Sequence, residues 1–388
     1  MTKNAFDQLS LSDLRRRSSW KWQAFPPDVL PAFIAEMDFM LAPPIEAAIA
    51  AAVAIGDTGY AWQIPELGEA LSGFARDRFA WVIDPADVAL LPDVMNGVTE
   101  VLRVALKPGD GVVINTPIYP PFFRHVLEAG CQVVEAPLEE GFGGYQLDLD
   151  AVERGFKSGA RGYLLCNPHN PTGRVFARAE LEVVAALAER YGVKVFADEI
   201  HAPLVLAGAR HTSFLSLDEP ADELGAVLIS ASKAWNIPGL KCAQLVVASD
   251  SMRSMVKRLP EGLSSRAGNL GVIASIAAYR DGGPWLEELL EVIDRNRHLL
   301  RELLAEHLPP IRMGPPQGGY LAWLDCRALG LGEEPVDFFL KRARLALGPG
   351  PNFGSSGKGH VRITMATTEE ILREIVERMR KAIRQPTP

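Results

Sequence analysis

Residues Ile229–Leu240 have the sequence Ile-Ser-Ala-Ser-Lys-Ala-Trp-Asn-Ile-Pro-Gly-Leu. The apolar run Gly225–Ile229 leads into this segment and predicts a short buried strand. Lys233 therefore lies just past a strand end, with hydroxyl groups on its N-terminal side. This placement suits a lysine that acts as a nucleophile and forms a Schiff base with a carbonyl compound. A Ser-Lys pair in an arbitrary loop is usually solvated, so other parts of the chain must decide between the two interpretations.

Composition indicates an ordinary globular protein. The chain has 388 residues, which is long enough for two domains with a sizeable core. Its residues are 48% hydrophobic and 23% charged, which are ordinary values for a globular protein. The net charge of −8 argues against a nucleic-acid partner, because the chain lacks the basic surface that phosphate binding requires. The start of the chain has no apolar signal segment, and Ile45–Ile55 is too short to cross a bilayer. We therefore expect a soluble, cytoplasmic protein with neither a nucleic-acid nor a membrane partner.

The cysteines and histidines predict neither a disulfide framework nor a metal site. The four cysteines are far apart in the sequence and form no Cys-x-x-Cys pair; they are Cys131, Cys166, Cys242 and Cys326. The histidines at 125, 211, 298 and 307 have no neighbouring ligand residues and are interpreted as surface or core side chains. The segment Gly354–Gly359 lacks the spacing of a phosphate-binding loop and precedes a strand, so a turn is expected there.

The central part of the chain alternates between strand and helix patterns. Predicted helices, among them Val98–Leu106, Pro121–Ala129 and Ala179–Tyr191, separate the strands. Such alternation predicts an α/β fold with one large, doubly wound, mostly parallel seven-stranded sheet. Chemistry in such sheets is placed at the carboxyl ends of the strands. The predicted strands are Val88–Leu91, Gly111–Asn115, Gln132–Ala136, Gly162–Cys166, Lys194–Ala197, Ala226–Ile229 and Ala243–Ala248.

The two ends of the chain predict a second, smaller α+β domain. Pro284–His307 has the pattern of a long amphipathic connecting helix, and Arg312–Cys326 and His360–Met365 are predicted strands that alternate with helices. The first 44 residues are rich in Pro and Trp and predict an extended arm that packs against this domain. We predict a large domain over 46–282, and a small domain formed by 1–45 and 283–388.

Residues that follow the strands compose an anion site. After Val88–Leu91, a glycine turn opens a helix and predicts free backbone N–H groups at Gly97, Val98 and Thr99. Ser230, Ser232 and Lys241, which follow the strand ending at Ile229, are expected to add hydrogen-bond donors and a positive charge.

Other strand ends add the groups that would hold an aromatic ring. Tyr119 lies in a proline-rich loop and would cover the ring, and Asn170, in Asn-Pro-His-Asn-Pro-Thr-Gly, can donate a hydrogen bond to it. Asp198 ends a buried strand, and a buried acid requires a cationic partner such as a protonated ring nitrogen. Together with Lys233 and the anion site, these residues predict a site for pyridoxal 5′-phosphate.

With these residues, the sequence resembles the fold-type I pyridoxal-phosphate enzymes of the class I/II aminotransferase superfamily, which have a PLP-dependent transferase-like fold. The resemblance covers nearly the whole chain. It implies that Lys233 forms the Schiff base, Asp198 contacts the pyridine nitrogen, and Asn170 and His201 lie near the ring hydroxyl. It also implies that Tyr119 stacks on the ring.

The resemblance extends to the substrate and to a partner subunit. Arg362, in His-Val-Arg-Ile-Thr, would bind the α-carboxylate of a small amino-acid substrate, for which a guanidinium fork is suited. Ala35, Tyr119 and Asn170 are also expected to contact the substrate. Tyr60 resembles a tyrosine that reaches the phosphate from the neighbouring subunit, which implies a homodimer with shared active sites.

Within the superfamily the chain is most similar to the MalY/PatB group of carbon–sulfur β-lyases. The similarity is carried by Lys21-Trp22, Pro26–Pro31, Ile34–Phe39 and Asp198–His201. It implies cleavage of cystathionine or another cysteine S-conjugate by α,β-elimination to a thiol, pyruvate and ammonia. Glu36 and Trp235 depart from the pattern of that group, and both are expected at or near the pocket.

Three alternatives remain open at this point. An aminotransferase shares every step up to loss of the Cα proton. A specialised biosynthetic enzyme would act on a bulky cysteine S-conjugate. A binding or regulatory protein could use the same fold, as some relatives of the group do, although intact Lys233, Asp198, Asn170 and Arg362 favour catalysis.

Overall fold

The large sheet has seven strands, as predicted. The computed structural model describes residues 5–62, 65–141, 144–217 and 219–384. Strand Ala243–Val246 runs antiparallel to both of its neighbours, and the other neighbouring pairs are parallel. The α/β fold with a mostly parallel sheet is therefore confirmed. The spatial order is Val88–Leu91, Ala243–Val246, Gly225–Ile229, Lys194–Asp198, Gly162–Cys166, Gly111–Ile114 and Gln132–Glu135.

Helices cover both faces of this sheet, which is why its strands are nearly continuous apolar runs. Side chains alternate between the two faces, so that Leu165 and Ala197 join one hydrophobic core while Leu164 and Phe196 join the other. The α-helices of this part of the chain are Pro43–Ala54, Pro65–Phe79, Val94–Ala105, Pro121–Glu128, Leu149–Lys157, Arg178–Tyr191, Ala221–Leu224, Ala231–Ala234, Asp250–Val256 and Asn269–Asp281.

A second, antiparallel sheet is built from the C-terminal part of the chain. Its strands, in spatial order, are Arg312–Met313, Leu321–Asp325, His360–Thr364 and Gly348–Pro349. The associated helices are Gly283–His307, Pro335–Ala343 and Glu369–Arg384. The single strand predicted over Arg312–Cys326 is wrong, because residues 314–320 form a loop. Pro315 and Pro316 cannot donate ladder hydrogen bonds, and Gly319 has a φ of +74°.

The N-terminal arm links the two sheets. It contains the short helices Leu11–Leu14 and Trp20–Gln23, and its strand Leu30–Pro31 pairs in parallel with Leu345–Ala346. Trp22 packs in the core of the small sheet, as expected for the arm. Farther along, the arm passes to the large sheet, where Met37 and Phe39 join the core.

The domain boundaries predicted at 45/46 and 282/283 stay a prediction. Helix Gly283–His307 belongs to both cores, because Leu286 and Ile293 pack with the large sheet whereas Leu300 and Leu304 pack with the small one. Across the described ranges, no helix is both long and apolar enough to cross a membrane.

Candidate active site

Lys233 projects into a cavity at the carboxyl ends of the central strands. It lies on the short helix Ala231–Ala234, and its Nζ donates a hydrogen bond to the backbone carbonyl of Ala35 over 3.0 Å. Desolvation and the nearby guanidinium of Arg362 lower the pKa of Lys233 to about 8. A substantial fraction of this amine is therefore neutral, and hence nucleophilic, slightly above neutral pH.

Asp198 is buried next to Lys233. Its Oδ1 accepts a hydrogen bond from the backbone N–H of Ile200 over 3.1 Å. Burial raises the pKa of Asp198 to about 7, because a carboxylate loses its hydration there. A cation placed against this carboxylate would recover that lost stabilisation and would keep Asp198 ionised.

Arg362 and Asn170 face each other across the two sheets. Arg362 donates from Nη1 to Asn170 Oδ1 and from Nη2 to the carbonyl of Phe33, each over 3.0 Å. Its guanidinium lies 5.0 Å from the ring centroid of Phe353, and its buried Nε has no hydrogen-bond partner within the described ranges. Burial lowers the pKa of Arg362 to about 10, so it is a cation at neutral pH.

His201 and Tyr119 form two further walls of the cavity. Burial lowers the pKa of His201 to about 3, so the imidazole is neutral, and Nδ1 has no hydrogen-bond partner within the described ranges. Burial also raises the pKa of Tyr119, which keeps its hydroxyl protonated and able to donate. Both side chains thus offer polar atoms to a ligand without bringing a charge.

The predicted anion site is displaced by one helical turn. Helix Val94–Ala105 begins before Gly97, whose N–H donates to Asp93 O within the first turn. The free first-turn N–H groups are therefore those of Val94 and Met95, and the prediction at Gly97, Val98 and Thr99 is wrong. Gly97 instead allows close packing, because a Cβ there would collide with Leu91 and Leu228.

Thr99 and Ser230 are engaged elsewhere. Thr99 Oγ1 lies 2.7 Å from Nδ1 of His125, and both side chains are buried. Ser230 caps helix Ala231–Ala234: its Oγ accepts the N–H of Ser232 and donates to the carbonyl of Cys242 over 2.6 Å. The Ser230 hydroxyl therefore already donates its hydrogen bond within the protein, whereas the sequence predicted that it would donate to a bound anion. Ser232 itself does line the cavity.

Lys241 lines the cavity but already has an anionic partner. Its Nζ lies 3.1 Å from Oδ2 of Asp93, the N-cap residue of helix Val94–Ala105. We call Asp93–Asn96 together with Lys241 the helix end of the cavity. The lysine end comprises Ala35, Asn170, Asp198, His201 and Lys233, which line the cavity, together with Arg362, which does not line it but donates a hydrogen bond to Asn170.

The cavity has a volume of about 300 Å³ and brings most of the predicted residues together. Tyr60 is not among them, because it is 92% exposed and pairs with Gly268 on the surface. Several wall residues were not predicted: Asp93, Arg124, His125 and Cys166. Tyr320 was also missed, and its buried hydroxyl donates to the same Ala35 carbonyl as Lys233, over 3.0 Å. An Asp three residues before Asn96 is an N-cap signal that could have revealed Asp93.

The two positions that depart from the MalY/PatB pattern have different surroundings. Trp235 is fully buried: its Nε1 donates to Gly282 O over 3.0 Å, and its ring packs against Phe74 and Tyr279. Trp235 therefore lies two residues from Lys233 but does not itself line the cavity. Glu36 is partly buried and accepts a hydrogen bond from Ser19 Oγ over 2.5 Å. Its negative charge raises the pKa of Lys233 slightly, against the larger effect of burial.

Comparison with known proteins identifies the family. A family model described as aminotransferase class I and II matches residues 41–379. The chain belongs to this family. Within it, a putative cystathionine beta-lyase of Mycobacterium leprae is 46% identical, with 99% of each chain covered. Cystathionine beta-lyase PatB of Bacillus subtilis is 32% identical over 90% of this chain and 92% of that protein.

A solved structure supports the same placement in the family. A putative PLP-dependent beta-cystathionase from Corynebacterium diphtheriae superimposes with a TM-score of 0.93. It is 36% identical and covers 98% of this chain and 99% of its own. The predicted resemblance to fold-type I enzymes, and to the MalY/PatB group within them, is confirmed.

Proposed function

We propose that this protein is a PLP-dependent carbon–sulfur β-lyase. It cleaves cystathionine or another cysteine S-conjugate to a thiol, pyruvate and ammonia. The observation that carries the proposal is the Lys233 amine, which has a lowered pKa and donates only to a neutral carbonyl while facing Asp198 and Arg362. The names of the relatives favour the lyase reaction over other reactions of the family.

The residues of the cavity fit pyridoxal 5′-phosphate. Lys233 would hold its aldehyde carbon, and Asp198 would pair with the ring nitrogen, which supplies the cation that this buried carboxylate lacks. The orphaned Nδ1 of His201 and the amide of Asn170 would contact the ring hydroxyl. At the helix end, the N–H groups of Val94 and Met95 would hold the phosphate together with Ser232 and Lys241.

The chain's own residues account for substrate binding and for movement of the proton. Arg362 holds the α-carboxylate with its planar fork, aided by the free Nε–H. The neutral amine of Lys233 removes the proton from Cα, and its hydrogen bond to the Ala35 carbonyl restricts the orientation of the amine. Asp198 keeps the ring nitrogen protonated, and Tyr119 covers the site. When bound, the cofactor supplies the electron sink that allows the Cβ–S bond to break.

A bulky S-conjugate is favoured by one feature of the arm. Trp20 is 68% exposed and packs edge-to-face against Phe33, with the ring centroids 5.7 Å apart. Phe33 also accepts the hydrogen bond from Arg362 through its carbonyl. An apolar group on the sulfur of the substrate could cover the exposed Trp20 ring, so conjugates with aromatic or long alkyl groups belong among the test substrates.

We also propose a cytoplasmic homodimer with shared active sites. Tyr60 lies outside the cavity of its own chain, and the nearby residues Ile55 and Trp62 are 81% and 80% exposed. A partner subunit would cover these side chains and receive Tyr60 in its own site. Four free, buried thiols are compatible with a reducing compartment. Mixing Lys233→Ala and Tyr60→Ala subunits should restore activity in hybrid dimers, and sedimentation analysis should show that the wild type is a dimer.

The function is tested with the purified holoenzyme and cystathionine or simple cysteine conjugates. A lyase should release pyruvate, ammonia and thiol in equal amounts without any keto acid present. Amine transfer that requires a keto-acid acceptor, with no pyruvate formed in its absence, would instead establish an aminotransferase and contradict the proposal.

A further inference from the structure

The helix end of the cavity contains an acid where an anion is expected to bind. The Asp93 carboxylate accepts the N–H of Asn96 through Oδ1 and the side-chain amide of Asn96 through Oδ2, each over 2.8 Å. Oδ2 also accepts a hydrogen bond from Lys241 Nζ over 3.1 Å. One carboxylate thus occupies a first-turn N–H group and the ammonium group, both of which are suited to a phosphate.

The other charged groups at this end do not compensate for Asp93. The side chain of Arg124 is 67% exposed, and its Nε lies 3.5 Å from Oε1 of Glu128, a second acid. Burial, and then the positive charge of Arg124, lower the pKa of His125, which favours the neutral form of its imidazole. The charges of Asp93 and Lys241 therefore cancel, and the helix end has little net positive charge.

We propose that Asp93 is a positioning residue that competes with the cofactor phosphate for Lys241 and so weakens cofactor binding. This inference rests on the proposed function. Asp93 holds Lys241 at the wall of the cavity through the hydrogen bond to its Nζ. When the phosphate binds, Lys241 must divide its charge between two anions, and the carboxylate remains as a like charge beside the phosphate. The affinity for pyridoxal 5′-phosphate is consequently lower than the N–H groups and Lys241 alone would give.

The test replaces the charge and keeps the helix cap. Asn is as good an N-cap as Asp, so Asp93→Asn removes the negative charge with little change to helix Val94–Ala105. Asp93→Ser is a second capping variant, in case the first one folds poorly. Dissociation constants of the full-length apoprotein are measured by tryptophan fluorescence for pyridoxal 5′-phosphate and, separately, for pyridoxal, which has no phosphate.

We expect both variants to bind pyridoxal 5′-phosphate about fivefold more tightly than the wild type, on the scale of one partly exposed ion pair. Pyridoxal should bind equally to all three proteins. Lys241→Gln should weaken binding of the phosphate form, and more strongly in the Asp93→Asn background, because Lys241 is then no longer shared. Release of the cofactor during dialysis should be slower from Asp93→Asn.

Two results would overturn the inference. Equal or weaker binding of pyridoxal 5′-phosphate to both capping variants, with wild-type melting temperatures, would mean that Asp93 is neutral or assists the phosphate. An equal gain for pyridoxal would place the effect away from the phosphate. If the wild type binds pyridoxal 5′-phosphate without a Lys233-dependent visible band, the proposed function fails. If the band is present but the variants and the wild type bind pyridoxal 5′-phosphate with equal affinity, only the role of Asp93 fails.

Discussion

The two ends of the cavity differ in how their polar groups are satisfied. At the lysine end, Lys233 and Arg362 donate to neutral oxygens, and Asp198 is held by a single backbone N–H. At the helix end, Lys241 and Asp93 are paired with each other. A ligand therefore supplies missing partners to the polar groups at the lysine end. At the helix end it must compete with the existing pair of Lys241 and Asp93. Buried, unsatisfied groups indicate where ligand binding is favourable, whereas paired charges indicate where it must displace something.

The largest effect is expected at the lysine end. Lys233→Ala removes both the proposed point of covalent attachment and the proposed base for the Cα proton, so kcat should fall about 10⁴-fold. The visible absorbance band should disappear together with the activity. Lys241→Gln is the matched control at the helix end and should keep the band when the cofactor is saturating. A band that persists in Lys233→Ala would disprove the assignment.

Asp198 should have the next largest effect on catalysis. Asp198→Asn removes the carboxylate that we propose keeps the ring nitrogen protonated, and kcat should fall about 10²- to 10³-fold, while KM changes much less. Steady-state kinetics with the holoenzyme measure this split. A similar loss of activity that arises only from a raised KM would mean that Asp198 contributes to substrate binding instead.

The same residue predicts how the stability of the cofactor-free protein depends on pH. The pKa of Asp198 is about 7 in the folded state and about 4 in the unfolded chain, so between these values the folded state binds the extra proton. Stability therefore falls as the pH rises from 4 to 7 and is constant above that window with respect to this group. Without cofactor, the free energy of unfolding of Asp198→Asn should exceed that of the wild type by about 2–4 kcal/mol at pH 8. The two proteins should be equally stable near pH 4, and urea unfolding measures both values.

Behind the helix end, Gly97 should matter for packing. Gly97→Ala places a methyl group against Leu91 and Leu228 and should lower the free energy of unfolding by about 1–3 kcal/mol. Gly73→Ala, in helix Pro65–Phe79, meets nothing within 4 Å and should stabilise the protein by about 0.5–1 kcal/mol. Equal effects of the two substitutions would argue against the packing role of Gly97.

The smallest effects are expected for Ser230 and Ser232, and they should differ in kind. Ser230→Ala should cost about 1 kcal/mol of stability through the lost cap, without changing the affinity for pyridoxal 5′-phosphate. Ser232→Ala should weaken that affinity about twofold to fivefold with unchanged stability. The opposite pattern in thermal melts and binding titrations would restore Ser230 to the phosphate site.

Local sequence predicted the sheet well because buried strands and amphipathic helices have characteristic periodicities. Strands Val88–Leu91 and Gly162–Cys166 have the predicted bounds, and helix Pro121–Glu128 ends one residue before its predicted end. The start of helix Val94–Ala105 was misjudged because the glycine at 97 resembled a turn. A glycine is required at 97 by the tertiary packing, because Leu91 and Leu228 leave no room for a side chain there.

The sequence by itself determined which chemical groups end the strands, because strand ends, turns and the Asn-Pro steps follow from neighbouring residues. Only the tertiary structure decided their partners. Lys233 meets the carbonyl of Ala35, Arg362 meets Phe33 and Asn170, and Lys241 meets Asp93, each across well over a hundred residues of chain. Such pairings depend on how the arm and the two sheets pack together, and short-range patterns contain no information about them.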